Sequence, residues 1–503
     1  MPFHKDIFTN QQVRELKLIT LLQEHNSLLD YRKVCHYLNC SFLTLQTEIS
    51  TLKTFPEIED MAYQPSHLAI TYKEQYGTQK LYQTFLNDSP SLKLLNLLFF
   101  AQQETLEELA DKLFISLSTL KRLLKKTNSY LSTRYHFSVD VKKLIFVGDE
   151  KAIRLFFLKY FSEIDSMDDW PFDPYIPKNI LEDLVSFVAD TLNWTLDFTH
   201  YRHLLIYSAV NLLRSLKGNY QSAQLSNLSQ YLDEQLSETE QGKALRQRFF
   251  KTFQNPLTRQ MIAELFSTFL SEELLSSPSQ VSNLENHFSH FKTWRQTLLH
   301  LEEEVGFPIT NKDEIIMHCH NALKLGNEDA YLNFLVYDYR KNFINHFNQD
   351  YPHFLAEVQK QVSLMISDCS QEVSDYTINH LTYLFLMTWD NLFLYLSQHI
   401  EKQKLLVVER GKGNVGLFLQ AYLGQFFDIT IFRDYKLTNL KEKYACDLII
   451  TDTLLNDIDG VTILYFNKLT PSDVLARLND HLRKQLKHQF QEKYERRQLS
   501  QLP

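Results

Sequence analysis

A multidomain, mainly helical chain is predicted here: two N-terminal winged helix-turn-helix units, two helical bundles and a C-terminal α/β domain. Three observations carry it. The 503 residues exceed a single core, because domains run to roughly 100–200 residues. Apolar positions up to about residue 400 recur mostly at helical spacing, and two short alternating stretches each follow a helix pair. Beyond Glu401 the pattern changes to short apolar runs typical of buried strands.

Composition narrows the function classes. Hydrophobic residues at 44% and charged residues at 22% are ordinary for a globular protein, and 11 Gly with 13 Pro leave little for long linkers. Cys35, Cys40, Cys319, Cys369 and Cys446 form no CxxC. They read as reduced packing thiols, which implies a cytoplasmic protein without a metal site. The N-terminus lacks an apolar signal core, and runs such as Leu94 to Ala101 fall short of the ~18 residues a membrane span needs, so no membrane role is expected. Charge is uneven: the first 160 residues hold 20 basic and 17 acidic side chains, against 52 and 61 in the whole chain of net charge −9. The N-terminal third is therefore the candidate nucleic-acid part.

Residues 1–75 make the first winged unit. Gln11 to Gln23 reads as a helix. Asp30 caps a second helix through Val34 and Leu38, Asn39-Cys40-Ser41 supplies the turn, and Leu45, Ile49 and Leu52 line the inner face of a third. Its outer face is Thr44, Gln46, Thr47, Ser50 and Lys53, groups able to hydrogen-bond bases or phosphates but carrying little charge. Ile58 to Tyr72 forms the wing, with Leu68 and Ile70 on one side.

Residues 76–164 make the second. Tyr76 to Leu86 and Ser91 to Gln102 are helical, and Leu106, Leu109, Ala110 and Leu113 mark an amphipathic helix. Ser116 caps the next, whose apolar positions Leu117, Leu120, Leu124 and Leu131 pack inward. Outward it presents Ser118, Thr119, Lys121, Arg122, Lys125 and Lys126. Phe137, Val139, Val141 and then Leu144 to Val147 predict two strands around Lys142 and Lys143. Residues 116–143 hold seven basic side chains and one acid, Asp140. That is a phosphate-neutralising patch suited to double-stranded DNA, with the helix N-terminus toward the major groove. The plainer alternative is a solvated charged face.

WPFDPYIPK, Trp170 to Lys178, is the clearest break in the chain. From about 178 to 400 the pattern is helical and splits into bundles at 165–280 and 281–400, joined by polar Ser276 to Asn283. LLRSLKGN at 212–219 is echoed by NALKLGN at 321–327. Residues 401–503 alternate strand and helix: Leu405 to Val408, the GKGNVG loop, helical Leu417 to Leu423, then strands at Ile429 to Phe432, Leu448 to Ile450 and Val461 to Phe466. A charged helix from Ser472 to about Arg497 follows, with Val474, Leu478, Leu482 and Leu486 inward.

This order resembles the Mga/AtxA family of Gram-positive virulence and global regulators over essentially the whole chain. The carriers are SLSTLKRLLKK in the second winged unit, HYRHLLIYSAVNLLRSLKGN and LTYLFLMTW in the bundles, and KLLVVERGKGNVGLFLQAYL in the last domain. The resemblance implies bundles similar to the PRD regulatory domains of phosphotransferase-controlled antiterminators, and a last domain similar to enzyme IIB. It implies transcription regulation at promoter DNA, mainly through the second winged unit. It also implies histidine phosphorylation by the phosphotransferase-system phosphocarrier protein, and a homodimer formed through the C-terminal domain. His203 falls where the family carries a regulatory histidine. In the second bundle His318, His320 and His380 compete. A phosphoryl group there adds negative charge and acceptor oxygens, enough to reset bundle pairing.

No enzyme is expected. An enzyme IIB domain needs a cysteine nucleophile after its first strand, where this chain has Glu409-Arg410-Gly411-Lys412-Gly413-Asn414. Gly411, Gly413 and Gly416 have the spacing of a dinucleotide loop, with Asp428 and Asp434 near the distance of an acidic partner, but no P-loop order is present and no cofactor is expected. His318 and His320 alternate along a helix and point apart, which argues against a metal pair. The rival readings are a protein-interaction scaffold and a phosphotransfer component of sugar signalling that does not bind DNA.

Overall fold

The helix-turn-helix turns are set by their caps. In the computed structural model Asp30 accepts from the Arg32 N–H at 2.7 Å to start α2 (Tyr31–Leu38), which follows α1 (Asn10–Glu24). Asn39 then closes α2 in the left-handed conformation, φ 51°, and Ser41 accepts from the Thr44 N–H to start α3 (Phe42–Leu52). Val34, Leu38, Leu45, Ile49 and Leu52 are buried as their spacing predicts. The antiparallel pair β1 (Ile58–Gln64) and β2 (His67–Tyr72) is the first wing, with Leu68 and Ile70 on the buried side. The structure describes residues 7–24, 30–64, 67–101, 104–164, 170–173, 175–194, 196, 198–221, 225–326, 334–369, 374–398, 402–410, 414–424, 426–434, 439–466, 473–479 and 481–482.

Helices α4 (Thr78–Asp88) and α5 (Pro90–Phe100) lead to α6 (Leu106–Lys112), which opens with a capping box between Thr105 and Glu108. Ser116 caps α7 (Leu117–Tyr135), and β3 (Phe137–Asp140) pairs antiparallel with β4 (Ile145–Gly148). Both helix-turn-helix turns are Schellman motifs: Cys40 N–H bonds Cys35 O and Asn39 N–H bonds His36 O, just as Ile115 N–H bonds Ala110 O and Phe114 N–H bonds Asp111 O. Val141, expected to continue the first strand, instead lies exposed in the hairpin turn. Asp140 redirects the chain there by accepting from the Lys142 and Lys143 N–H groups.

Sequence periodicity left α8 (Glu150–Ile164) unassigned. Its Phe157 and Phe161 join Phe99, Phe100 and Phe172 in one aromatic core, with Phe99 and Phe157 centroids 4.2 Å apart. The first bundle comprises α9 (Lys178–Leu192), α10 (Phe198–Leu216), α11 (Asn227–Glu238), α12 (Glu240–Phe253) and α13 (Arg259–Phe266). Next come α14 (Ser279–Asn283), α15 (Ser289–Val305), α16 (Lys312–Gly326), α17 (Tyr339–Asp350), α18 (Pro352–Asp368), α19 (Asp375–Thr388) and α20 (Leu392–Gln398). The polar join at 276–283 is thus partly helical, and Val281 within it is buried. The echo holds in part: Gly218, φ 79°, follows α10 and Gly326 ends α16, whereas Asn327 lies outside the described residues.

The chain divides into two compact units, one of Met1–Arg295, Lys312–Asn345 and Met365–Phe385, the other of Gln296–Asn311, His346–Leu364 and Leu386–Pro503. The second contains a four-stranded parallel sheet, ordered β6-β5-β7-β8 from β5 (Gln403–Val408), β6 (Phe427–Ile431), β7 (Leu448–Thr451) and β8 (Thr462–Tyr465). Between these strands run α21 (Asn414–Leu423) and α22 (Leu440–Tyr444). Gly416 in α21 lies so close to β6 that a Cβ would stand 2.6 Å from the Ile431 side chain. Of the final charged helix, residues 473–479 and 481–482 are helical, with Val474, Leu478 and Leu482 buried; Leu486 lies outside the described residues. No helix among the described residues is long and apolar enough to cross a membrane.

Candidate nucleic-acid interface and regulatory histidines

Helix α7 is amphipathic by construction. Leu120, Leu124, Thr127, Tyr130 and Leu131 are buried, which leaves Ser118, Lys121, Arg122, Lys125 and Lys126 exposed and Thr119 partly so. The Ser116 hydroxyl touches those of Ser118 and Thr119 at 2.9 Å, gathering three hydroxyls at the helix start. Among the described residues, Lys121, Arg122, Lys125, Lys142 and Lys143 are joined to no acid. Lys126 differs: its ammonium donates to the Phe8 carbonyl at 2.9 Å, so it ties α7 to the N-terminal segment. The wing is fixed to the helix by Asn128, which donates to Val139 O and accepts from Val139 N–H, each at 2.8 Å. Those turn N–H bonds also hold the Asp140 carboxyl below its usual range. Lys142 and Lys143 therefore stand at a defined place relative to α7.

The outer face of α3 is arranged otherwise. Thr44 meets the Ser41 hydroxyl, while the Thr47 and Ser50 hydroxyls donate to the Leu43 and Gln46 carbonyls of their own helix. Lys53 is paired with Asp60 of the wing at 3.2 Å. Only Gln46 retains an exposed side chain with no such local bond, so the first unit offers no counterpart to the cationic stripe on α7.

Behind the second unit lies a buried charge cluster that sequence reasoning did not single out. Arg154 of α8, 1% exposed, pairs with Glu150 and with Glu264 of α13 at 2.9 Å, and donates to Ser215 Oγ and Asn219 O. Arg214 of α10 makes a two-point contact with the same Glu150, and its guanidinium lies over the Phe146 ring of β4. Lys217 donates to the carbonyls of Phe99 and Ala101, and burial draws its pKa down to about 8. The available signal was the Glu150/Arg154 spacing of four and the Arg214 and Lys217 within LLRSLKGN. Burial of the opposing elements was not visible in the sequence.

The four singled-out histidines differ in environment. His318 is partly exposed, at 28% of its side chain, with its ring stacked near His200 and 4.0 Å from Glu314. His203 lies edge-on to Phe269, and burial lowers its pKa to about 4. His320 is buried with both nitrogens engaged, Nδ1 with His290 at 3.1 Å and Nε2 with Glu273 O at 2.9 Å. His380 is buried, and Arg340 donates to its Nδ1 at 2.5 Å. Burial, then the guanidinium, holds His380 well below the usual imidazole range. The segment before Arg340 reaches back to α8, where the Glu163 carboxylate accepts from the N–H groups of Leu335, Val336 and Tyr337. Tyr337 also stacks on Tyr82, centroids 4.6 Å apart. No group of three or more metal-ligating side chains occurs among the described residues.

After β5, Glu409 accepts weakly from the Gly416 N–H of α21, at 3.4 Å, and Arg410 N–H bonds Asp452. Gly411 to Gly413 lie outside the described residues. The segment after β5 thus holds a carboxylate next to a helix start.

Comparison with known proteins matches three models of one family. The helix-turn-helix domain of the M protein trans-acting positive regulator (MGA) covers residues 9–58, the Mga helix-turn-helix domain covers 74–161, and the MGA PRD domain covers 177–392. A Streptococcus pneumoniae protein provisionally described as a trans-acting regulator is 22% identical over 94% of this chain and 98% of its own. Two Bacillus anthracis proteins match over shorter stretches. The capsule synthesis positive regulator AcpB is 25% identical over 42% of this chain and 43% of its own, and AcpA is 29% identical over 36% and 37%.

Proposed function

This chain belongs to the Mga family of trans-acting regulators, and from that premise we propose that it binds promoter DNA through its second winged unit. It is a transcription regulator with a PRD domain, not an enzyme. In this reading Lys121, Lys125, Lys142 and Lys143 meet phosphates, Ser118, Thr119 and Arg122 face bases, and Lys126 both braces α7 and adds positive charge. The observation that carries it is the unpaired cationic stripe on α7 held in register with the wing by Asn128. Thr44, Gln46, Thr47, Ser50 and Lys53 of the first unit contribute a weaker, mainly neutral contact.

Regulation follows from the PRD domain. The phosphotransferase phosphocarrier protein phosphorylates histidines among His203, His318, His320 and His380, and the protein acts in the cytoplasm. The C-terminal α/β domain acts as an enzyme IIB-like module without a nucleophile and joins two copies of the chain; exposed Leu417 and Tyr422 on α21 support that role.

The test is binding of the intact protein to duplex DNA across a salt series, beside a variant with Lys121, Arg122, Lys125 and Lys126 changed to Glu. Steep salt-dependent binding that the variant loses supports the reading. Equal binding by both proteins moves the contact to the first unit, and binding by neither removes DNA from the function.

A further inference from the structure

The turn of each winged unit places one residue in the left-handed conformation, two positions before the serine cap: Asn39 at φ 51° and Phe114 at φ 54°. Asn tolerates this backbone, whereas Phe does so at a steric cost. Burial gives nothing in return. Phe114 is 95% exposed, the most exposed large apolar side chain among the described residues. Its neighbours Leu113 and Ile115 pack against the core and its N–H bonds Asp111 O, so the turn holds the ring outward in a fixed place. Strained residues persist where the surrounding structure over-determines them, and such places cluster at functional contacts.

The charge beside the ring identifies what it meets. Ser116 lies two residues on, and the first turns of α7 then present exposed Lys121, Arg122 and Lys125. The acids of α6 are Glu107 and Glu108 in its first turn, the latter used in the capping box, and Asp111 before the turn. A cationic surface with one rigid apolar projection is complementary to a duplex groove, where the thymine 5-methyl group is the apolar element of a base edge.

We infer that Phe114 is a DNA-contact residue that reads thymine methyl groups in the major groove. The inference rests on the reading of the second winged unit as the DNA-binding one. A pre-ordered ring loses little freedom on binding, which is what a strained but fixed turn provides.

The experiment uses the full-length chain and the duplex it recovers from a random 30-base-pair pool. That duplex is compared with a copy carrying deoxyuridine for every thymine, which removes only the methyl groups. Wild type is expected to bind the thymine duplex about five-fold or more tightly than the uracil copy. Phe114→Asn, which takes the residue already used at position 39, should raise the melting temperature, weaken binding to the thymine duplex and lose the discrimination. Phe114→Leu should restore part of it. Full affinity and full discrimination in Phe114→Asn overturns the inference while leaving DNA binding by the unit intact, and a recovered duplex without thymine overturns it as well. Failure of wild type to recover any duplex removes the DNA reading and this inference together.

Discussion

Asn128 and Val139 are joined twice, the amide donating to the carbonyl and accepting from the N–H at 2.8 Å each, so that α7 carries its wing as one body. Asn128→Ala leaves both backbone groups of a buried residue without that partner and is expected to cost about 1–3 kcal/mol. It should also weaken DNA binding, because Lys142 and Lys143 lose their fixed placement. Thermal melting and duplex titration check the two effects. Unchanged affinity would show that the wing does not touch DNA.

The cluster of Glu150, Arg154, Arg214 and Glu264 is a different kind of joint. Its members pair with one another in a largely buried site, so removing one strips a buried charge of an ionic partner. Arg154→Ala is expected to destabilise by ~3–5 kcal/mol, visible as a lowered midpoint in urea. A loss of under ~1 kcal/mol, the range of surface pairs, would mean that water compensates the site.

Glu163 predicts a pH dependence. Burial raises its carboxyl pKa from 4.5 to about 7, against the opposing pull of three backbone N–H groups. The folded chain therefore keeps a proton that the unfolded chain sheds between those values. This contribution to stability is full below 4.5, falls as pH rises, and is lost through about pH 7, a change of ~3 kcal/mol. Glu163→Gln should flatten that part of the curve. Glu15, also raised to about 7, keeps its own slope in the variant. His203 and His290, lowered to about 4, act oppositely: their contribution is present above 6.5 and lost as pH falls through 4. The quantity to measure is the difference in melting temperature between wild type and variant from pH 5 to 8. A constant difference would refute the assignment.

Arg340 caps one ring nitrogen of His380. With the guanidinium donating to Nδ1, that nitrogen is occupied and the ring is held neutral. Arg340→Ala is expected to increase acid-labile phosphoryl label at His380 during incubation with phosphotransferase proteins, and His380→Ala in the same background should abolish the increase. Label that is indifferent to Arg340 would make the contact purely structural.

Much of this architecture was legible because local signals agreed. Asp30 and Ser116 announced helix starts, and Leu120, Leu124 and Leu131 announced which face of α7 is covered; the structure has each in place. The cationic stripe was legible for the same reason, since what a helix leaves outside follows from what it buries. Long-range partners were not. Lys126 reads as one more surface cation until Phe8, 118 residues earlier, is brought to it. The Arg214 contact with Glu150 spans 64 residues, and the Arg340 contact with His380 spans 40. The role of Phe114 was not legible either, because periodicity records apolar character and says nothing of a backbone turned left-handed.

The three N–H bonds from Leu335, Val336 and Tyr337 to Glu163 also order events in time. Leu335 and Val336 belong to the same apolar core as the winged units, yet they leave the ribosome 172 residues or more after Glu163. At bacterial-scale synthesis of roughly 5–20 residues per second, that interval is about ten to thirty seconds. During it the Glu163 carboxylate lacks these donors and the core lacks its last apolar residues. That core is thus completed only when much of the helical region has been made, so a chain terminated before Leu335 lacks part of the core its N-terminal units share.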